Sequence, residues 1–489
     1  MTDAHLATPG TDETTAPRSG HVPLVVDVDG TLVEGDTLVE SALHLIAFRP
    51  LALLRMTQAL ARGRASLKGA VAAAVDLDEV SLRLNPAVLA EIDDAKAVGR
   101  PVYLASGADR RYVESMAARV GGVAGIFASE GRENLTGEAK AKRLVEAFGR
   151  AGFDYIGNER RDLPVWEAAR RALVAQGGRR LKEKVKQLDP KATFLRATEP
   201  STRVYLRALR PHQWLKNILV FLPLLAAHLA TVEAVAAAIA TFVAMNLTAS
   251  GTYIANDLLD LGPDRNHPRK RYRPLASGDL PLNHGIAMAP LLVVLGVAGA
   301  FAVDPPVAAM VVLYLLVTTA YSLYLKRKMF IDVVTLAALY TTRVLAGAVA
   351  VGVVVSPWFL AFSMFLFLML AIVKRHRELS GVLDERQERS LGRNYVVADL
   401  PVLAALGAAS GFSAVVVLAL YLNSPEVGLR YAVPEALWLL CPLLIYWIGR
   451  VLMLANRGQV DDDPVVFAMR DRPSLGVGVL GAAIVLIAL

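Results

Sequence analysis

A chain of 489 residues, 54% of them hydrophobic, with a formal net charge of +7, is too long for one ordinary domain and too apolar for a wholly soluble one. The positive excess does not mark a nucleic-acid binder: beyond residue 213 most basic residues sit in short loops between apolar runs, which is a membrane-topology signal. One cysteine, Cys441, inside an apolar run, excludes an intrachain disulfide and reads as a small buried hydrophobe.

Residues 1–20 are rich in Thr, Gly, Ala and Pro and lack the apolar core of a signal peptide. They are expected to be a disordered tail, with the following domain staying on the side where it is made. Residues 21–198 alternate short apolar strands with amphipathic helices, the pattern of a Rossmann-like parallel α/β sheet. Strands are expected at 24–26, 102–105, 125–128 and 154–156. Between the first two lies a largely helical insertion, about 39–96, containing Leu43, Leu45, Leu51, Leu54 and Met56. It reads as a cap over an active site or as a plain helical layer. Residues 178–198, with Arg179, Arg180, Lys182, Lys184 and Lys186, read as a surface helix and linker, either near anionic headgroups or simply solvated.

Residues 199–489 read as an all-α polytopic membrane bundle. Nine spans are expected, near 215–231, 233–255, 284–302, 306–325, 332–353, 356–373, 401–422, 435–454 and 473–489. Loops after even-numbered spans hold Arg265, Arg269, Lys270, Arg271 and Arg273, then Lys326–Lys328, then Lys374, Arg375, Arg377, Arg386, Arg389 and Arg393, then Arg457, Arg470 and Arg472. Loops after odd-numbered spans hold only Arg430. The positive-inside rule makes the even loops, and with them the N-terminal domain, cytoplasmic in a cell membrane.

Asp27-Val28-Asp29-Gly30-Thr31 follows an apolar strand, so Asp27 is expected at the carboxyl end of a strand, where open α/β sheets bind ligands. A carboxylate there can attack phosphorus and form an acyl phosphate. Asp29, two residues on, can protonate the leaving alcohol and later activate water. Gly30 permits the sharp exit, and Thr31 can orient the nucleophile.

Over about residues 22–175 the chain resembles the haloacid dehalogenase-type phosphatases. The likeness rests on that motif, on Leu104-Ala105-Ser106-Gly107, on Thr136-Gly137-Glu138-Ala139-Lys140, and on Gly157-Asn158-Glu159-Arg160-Arg161-Asp162. It implies that Ser106 binds phosphate, that Lys140 (with Lys142 as a neighbouring candidate) balances phosphate charge, and that Asp27 and Asp162 hold magnesium. Asn158 stands where the family usually has aspartate, which removes one ligand charge. A decayed regulatory domain is the competing reading.

The second chemical motif is Asn256-Asp257-Leu258-Leu259-Asp260-Leu261-Gly262-Pro263-Asp264. At about 100° per residue, Asn256, Asp257, Asp260 and Asp264 share one helix face, although Gly262 and Pro263 disturb its last turn. Carboxylates on one face repel unless a cation sits between them, and hard oxygens suit Mg2+. A salt-bridge network with the following arginines is the alternative. Basic residues 265–273 lie beside this face, and two further clusters, Tyr321–Lys326 with Asp332 and Lys374–Glu378, lie at later span ends.

These stretches resemble the UbiA-type intramembrane prenyltransferases over about residues 203–489, nearest to the branch that transfers 5-phosphoribose to decaprenyl phosphate. The resemblance is carried by 207–217 (Arg-Ala-Leu-Arg-Pro-His-Gln-Trp-Leu-Lys-Asn), the acidic face, His267–Pro274, Tyr321–Lys326 with Asp332, and Lys374-Arg375 with Ser390-Leu391. Aromatic-substrate members usually carry a second Asp-x-x-x-Asp, but here position 336 is Leu. The resemblance implies that polyprenyl phosphate attacks the anomeric carbon of 5-phosphoribosyl diphosphate. Asp257 and Asp260 would be the metal ligands, with Asn256 and Asp264 supporting. Lys216, Arg271, Tyr321, Lys326 and Lys374 would contact phosphate, and Asp332 the ribose.

The expected partners are therefore the polyprenyl phosphate lipid, 5-phosphoribosyl diphosphate and the bilayer, with no nucleic acid. No motif sets a copy number, so homo-oligomerisation stays open. The N-terminal phosphatase is expected to remove the 5-phosphate from the lipid-linked product, on a route to an arabinose donor for cell-wall polysaccharide. Two competing readings are an aromatic-acceptor prenyltransferase with an unrelated phosphatase, and a non-catalytic lipid-binding or transport protein.

Overall fold

The computed structural model describes residues 21–49, 56–58, 61, 69–71, 73–75, 80–129, 135–195, 200–384, 394–460 and 463–489. The expected tail 1–20, the cap residues Leu51 and Leu54, the loop arginines 386, 389 and 393, and Ser390-Leu391 lie outside the described residues. The chain divides into two compact units: residues 1–205 with 257–285, and residues 206–256 with 286–489. The loop that follows the acidic motif thus groups with the N-terminal domain.

The first unit is built on a six-stranded parallel sheet, β1 (Leu24–Val26), β2 (Val102–Asp109), β3 (Gly125–Ser129), β4 (Asp154–Gly157), β5 (Arg171–Val174) and β6 (Thr193–Phe194), ordered β3-β2-β1-β4-β5-β6. The four expected strands are present, and β5 and β6 extend the sheet. Alternation fills two cores: Leu24, Val26, Leu104, Ile156 and Leu173 face one side, and Val25, Tyr103, Ala105, Tyr155 and Val174 the other. The chain winds outward from β1 in both directions, so β1 lies at the switch point where such sheets open a crevice. Val26 is in register with Leu104 and Ile156, which sets Asp27 level with Ala105 of β2 and with the carboxyl end of β4. Of the expected cap, the helices Thr37–Phe48 and Pro86–Ala97 are described, the first capped by Asp36, whose side chain accepts from Val39 N at 3.0 Å.

Among the described residues, seven helices are long and apolar enough to cross a membrane by length and composition: Val232–Leu259, Leu282–Val303, Pro305–Leu323, Ile331–Ala350, Pro357–Gly381, Val397–Leu422 and Pro434–Asn456. The chain is an integral membrane protein. Two of the nine expected spans take other forms. The last is a 17-residue helix, Arg472–Ala488. The first is a 3-10 helix, Pro211–Phe221, followed by the short helix Leu222–Ala226. At about 2 Å per 3-10 residue and 1.5 Å per α residue, these reach roughly 30 Å, the thickness of the hydrocarbon layer.

The tight winding is fixed by polar ties to Val232–Leu259. Ser250 Oγ donates to Leu209 O at 2.9 Å, Trp214 Nε1 to Ser250 Oγ at 3.0 Å, and Asn217 Nδ2 to Asn246 Oδ1 at 2.6 Å. On the other side Gly347 lets Val220 approach; a Cβ there would stand 1.9 Å from Val220 O. In the second unit large apolar side chains such as Val354, Val479 and Leu486 face outward, while Thr248, Ser363 and Arg343 are buried, the inside-out arrangement of a bundle in lipid.

Candidate functional site

At the carboxyl end of β1, Asp27 is buried and every neighbour holds it in place. Lys140 Nζ donates to Asp27 Oδ1 at 2.7 Å and Thr31 Oγ1 to Asp27 Oδ2 at 3.1 Å. Lys140 also donates to Tyr155 OH at 3.0 Å, and that hydroxyl donates to Asp162 Oδ1 at 2.7 Å. Burial pushes the Asp27 carboxyl up to about 7, against the attraction of Lys140 and with help from Asp162. Asp29 lies alongside: its Oδ1 accepts from Thr37 N and Thr37 Oγ1 at 2.8 and 2.7 Å, and its Oδ2 from Ser106 Oγ at 3.2 Å. Asp27, Asp29, Ser106 and Lys140 are thus brought together as the motifs imply.

Asp162, expected as a metal ligand, is engaged otherwise. Its Oδ2 accepts from the amides of Asn158 and Glu159 at 3.0 and 3.1 Å, and its Oδ1 from Tyr155, so it holds the turn after β4. Asn158 instead keeps a buried Oδ1 with no hydrogen-bond partner, packed against Gly30. A buried amide oxygen without a donor is a hard ligand suited to Mg2+, so the pocket fits the implied ion with Asn158 in place of Asp162.

The second acidic centre forms where Val232–Leu259 ends. The helix breaks at Asp260 and restarts as Leu261–Asn266. Pro263 explains the break: it cannot donate to the carbonyl of Leu259, four residues back. The expected continuous face is therefore interrupted. Asp257 and Asp264 are buried, Asp260 is half-buried at the break, and Asn256, in the second unit, is half-buried. Arg273 Nη1 bridges two of them, at 3.1 Å from Asp257 Oδ1 and 2.5 Å from Asp264 Oδ2. Burial holds the Asp264 carboxyl above its ordinary range, opposed by Arg273 and reinforced by Asp257.

Two carboxylates converging on one cationic nitrogen form an oxygen set that also fits Mg2+. Among the described residues no three His, Cys, Asp or Glu side chains form a ready-made cage. Arg271, expected to contact phosphate, lies over the Tyr272 ring and donates to its hydroxyl at 2.7 Å. Nothing in the basic run distinguishes Arg273 from its neighbours.

In the second unit, Lys216 and Lys374 share one counter-ion. Lys216 pairs closely with Asp463, and Lys374 Nζ lies 3.9 Å from the same carboxylate oxygen. Burial opposes ionisation of Asp463, yet the two lysines hold it below the usual carboxylate range. Asp463 caps Pro464–Ala468, accepting from Val465 N and Val466 N at 3.2 and 3.3 Å, so the Asp-Pro pair was its legible signal. Tyr321 and Lys326 are half-buried at the end of Pro305–Leu323.

Asp332 does not serve as expected. It is fully buried, 2.5 Å from Arg375 Nη2, and accepts from Tyr395 OH at 2.6 Å, so it pins three segments together and has no face toward a ligand. Arg343 is a further buried cation that sequence reasoning passed over. Its Nε donates to Asn217 at 2.7 Å, and its guanidinium lies over the Tyr314 ring.

Comparison with known proteins bears on the membrane half and, through one relative, on nearly the whole chain. The model of the UbiA prenyltransferase family matches residues 218–470. An uncharacterised protein of Sinorhizobium fredii, y4nM, is 34% identical over 466 residues, 94% of this chain and 90% of that protein. A decaprenyl-phosphate phosphoribosyltransferase of Mycolicibacterium smegmatis is 29% identical over 293 residues, 57% of this chain and 92% of its own length. A UbiA homologue of Archaeoglobus fulgidus, solved bound to GPP and Mg2+, has 17% identity, covers 58% of this chain and 99% of its own, and has a TM-score of 0.44.

Proposed function

Because the chain belongs to the UbiA prenyltransferase family, we propose that it transfers 5-phosphoribose from 5-phosphoribosyl diphosphate to a polyprenyl (decaprenyl) phosphate, and that its N-terminal domain then removes the 5-phosphate. The observation that carries the choice of branch is the state of Asp332. Sealed between Arg375 and Tyr395, and followed by Leu336, it cannot form the second acidic pair that aromatic-prenylating members use. Similarity to the mycobacterial phosphoribosyltransferase over most of its length supports the same branch.

In this reading Asp257 and Asp260, supported by Asn256 and Asp264, would hold Mg2+. The ion, when bound, neutralises charge on the departing diphosphate. Arg273 exchanges its carboxylates for phosphate oxygens, and Lys216 and Lys374 supply cationic contacts to the acceptor phosphate. That phosphate is already anionic near neutral pH, so its oxygen attacks the anomeric carbon without a strong base as the bond to diphosphate breaks. Asp27 then attacks the 5-phosphorus while Asp29, positioned by Thr37 and Ser106, gives its proton to the ribose 5-oxygen. Asp29 afterwards takes a proton from the water that hydrolyses the acyl phosphate. Lys140 balances the phosphate charge.

We assign nine crossings, with the N-terminal domain and both centres on the cytoplasmic face of the cell membrane. The basic segments at 265–273 and 326–328, and the basic end of the helix Pro357–Asp384 at 374–377, support that orientation. The product would be a step toward an arabinose donor for cell-wall polysaccharide. The test is label transfer from 5-phosphoribosyl diphosphate to extractable lipid in detergent with Mg2+. Transfer in wild type that is lost in Asp260→Asn supports the reading. A protein that instead couples a prenyl diphosphate to an aromatic acceptor refutes it.

A further inference from the structure

The segment leaving β1 does more than carry a nucleophile. Beyond Asp29 it closes through Gly30 N to Gly35 O at 2.7 Å and continues as the helix Thr37–Phe48. The first residue of that helix holds Asp29 by both amide and hydroxyl. Three residues on, Glu40 is 2% exposed and takes a forked pair from Arg265: Nη1 to Oε2 at 2.5 Å and Nη2 to Oε1 at 3.2 Å. Arg265 also donates to Ser81 O at 2.5 Å, and it directly follows Asp264.

Further contacts within the first unit join the stretch after Asp264 to the segment around Ser81 and to the stretch that precedes Thr37. Ser81 Oγ donates to Asn266 Oδ1 at 3.4 Å. Gly278, at φ +75°, approaches so closely that an added Cβ would lie 2.5 Å from Glu34 Oε2. A Cβ on Gly35 would lie 3.1 Å from Leu282 Cδ1. A buried ion pair is an expensive way to gain stability, and its best attested use is to fix register. Here the register it fixes is between the helix that orients Asp29 and the short helix that carries Asp264.

We propose that Glu40 and Arg265 are positioning residues that couple the two catalytic centres, so that the geometry of Asp29 and that of the Asp257–Asp264 face are set together. This rests on the reading that the two faces serve two reactions. Occupation of the acidic face by magnesium diphosphate is transmitted through Leu261–Asn266 and the forked pair to Thr37, and so to the acid that protonates the leaving alcohol. Hydrolysis is thereby tuned to the state of the transferase centre.

The experiment uses the full-length protein in detergent, comparing wild type with Glu40→Gln, Arg265→Gln and the double variant. Two activities are followed: hydrolysis of p-nitrophenyl phosphate, and label transfer from 5-phosphoribosyl diphosphate to lipid. Each single variant is expected to lower kcat about tenfold for hydrolysis and several-fold for transfer, with KM little changed, and the double variant to be no worse than the worse single. Effects confined to one activity, effects that multiply in the double variant, or lowered melting with unchanged rates per folded molecule each overturn the coupling.

Should Glu40→Gln not accumulate as folded protein, Arg265→Lys, which keeps the charge and loses the fork, carries the same readouts. If wild type transfers no label, the transferase reading fails by itself. The coupling is then judged by adding magnesium diphosphate to the hydrolysis assay. A change in kcat in wild type that Glu40→Gln abolishes supports it, and an equal response in both proteins overturns it.

Discussion

The two acidic centres of the first unit are held in opposite ways. Asp27 sits at the end of a central strand, locked by Lys140, Thr31 and, through Tyr155, Asp162, and its cation is almost wholly buried. Asp257 and Asp264 flank a broken helix and share one guanidinium from an irregular loop, whose side chain is 28% exposed. The first arrangement is preorganised for one reaction geometry at a fixed phosphorus atom. In the second, the cation can leave its carboxylates for an incoming phosphate without dismantling a sheet. Under the proposed function, the hydrolase pocket buries its counter-charge, whereas the site proposed to admit a metal diphosphate leaves its counter-charge partly exposed.

Substitutions that break this contrast rank by expected effect. Asp27→Asn removes the nucleophile and should cut phosphate-ester hydrolysis on the order of 10⁴-fold while phosphoribosyl transfer persists, as measured by parallel assays on one preparation. Comparable hydrolysis in the variant would exclude Asp27 as nucleophile. Asp260→Asn should lower transfer by about 10²–10³-fold through lost stabilisation of the leaving diphosphate, with hydrolysis retained.

Asp332→Asn tests a purely structural assignment. Arg375 keeps its second carboxylate, Glu378, so neutralising Asp332 should cost about 1–3 kcal/mol of stability, read as a lower melting temperature in detergent, with no change in KM for 5-phosphoribosyl diphosphate. A KM shift at unchanged stability would return Asp332 to the ribose.

The pH dependence sharpens the comparison further. Asp27 must be ionised to attack, and burial holds its carboxyl at about 7, so at low Mg2+ hydrolysis should fall as pH drops through about 7. The folded-state value lies above the unfolded one. Asp27 therefore favours folding at low pH, and that contribution is lost as pH rises toward 7. A bound cation favours the ionised form, so raising Mg2+ should move the acid limb of the pH–rate profile downward. A limb that ignores Mg2+ would separate the metal from Asp27. The smallest effect expected is from Asn158→Asp, which adds a ligand charge and should lower the Mg2+ needed for half-maximal hydrolysis about fivefold.

Much of this architecture was legible because its signals are periodic or local. Alternation and buried apolar runs marked β1 to β4, and the lengths of the apolar runs marked the seven long helices. β5 opens on exposed Arg171 and β6 is two residues long, so neither carried a pattern to read. The first membrane segment looked like an α-helix in composition. Its 3-10 winding comes from tertiary ties at Trp214, Asn217 and Val220, which no local pattern encodes.

Among candidate site residues, Asp27 and Asp29 were legible from the strand that precedes them, Ser106 from its place in β2 and Lys140 from the motif that opens the helix Glu138–Phe148. Glu40 and Arg265 meet across 225 residues, which no local pattern shows, and Asp463 announced its helix cap but not its two lysines. Asp332 shows the converse: an acid at the membrane edge that looks like a ligand is consumed by a buried arginine.

In the proposed function one chain performs transfer and then removes the 5-phosphate from its own product. The most direct measurement gives wild type and Asp27→Asn a 5-phosphoribosyl diphosphate labelled separately in the ribose and in the 5-phosphate, with polyprenyl phosphate and Mg2+, and counts both labels in the lipid. The account predicts ribose label without 5-phosphate label in wild type, and both labels in Asp27→Asn. Equal retention of both labels in the two proteins would contradict it.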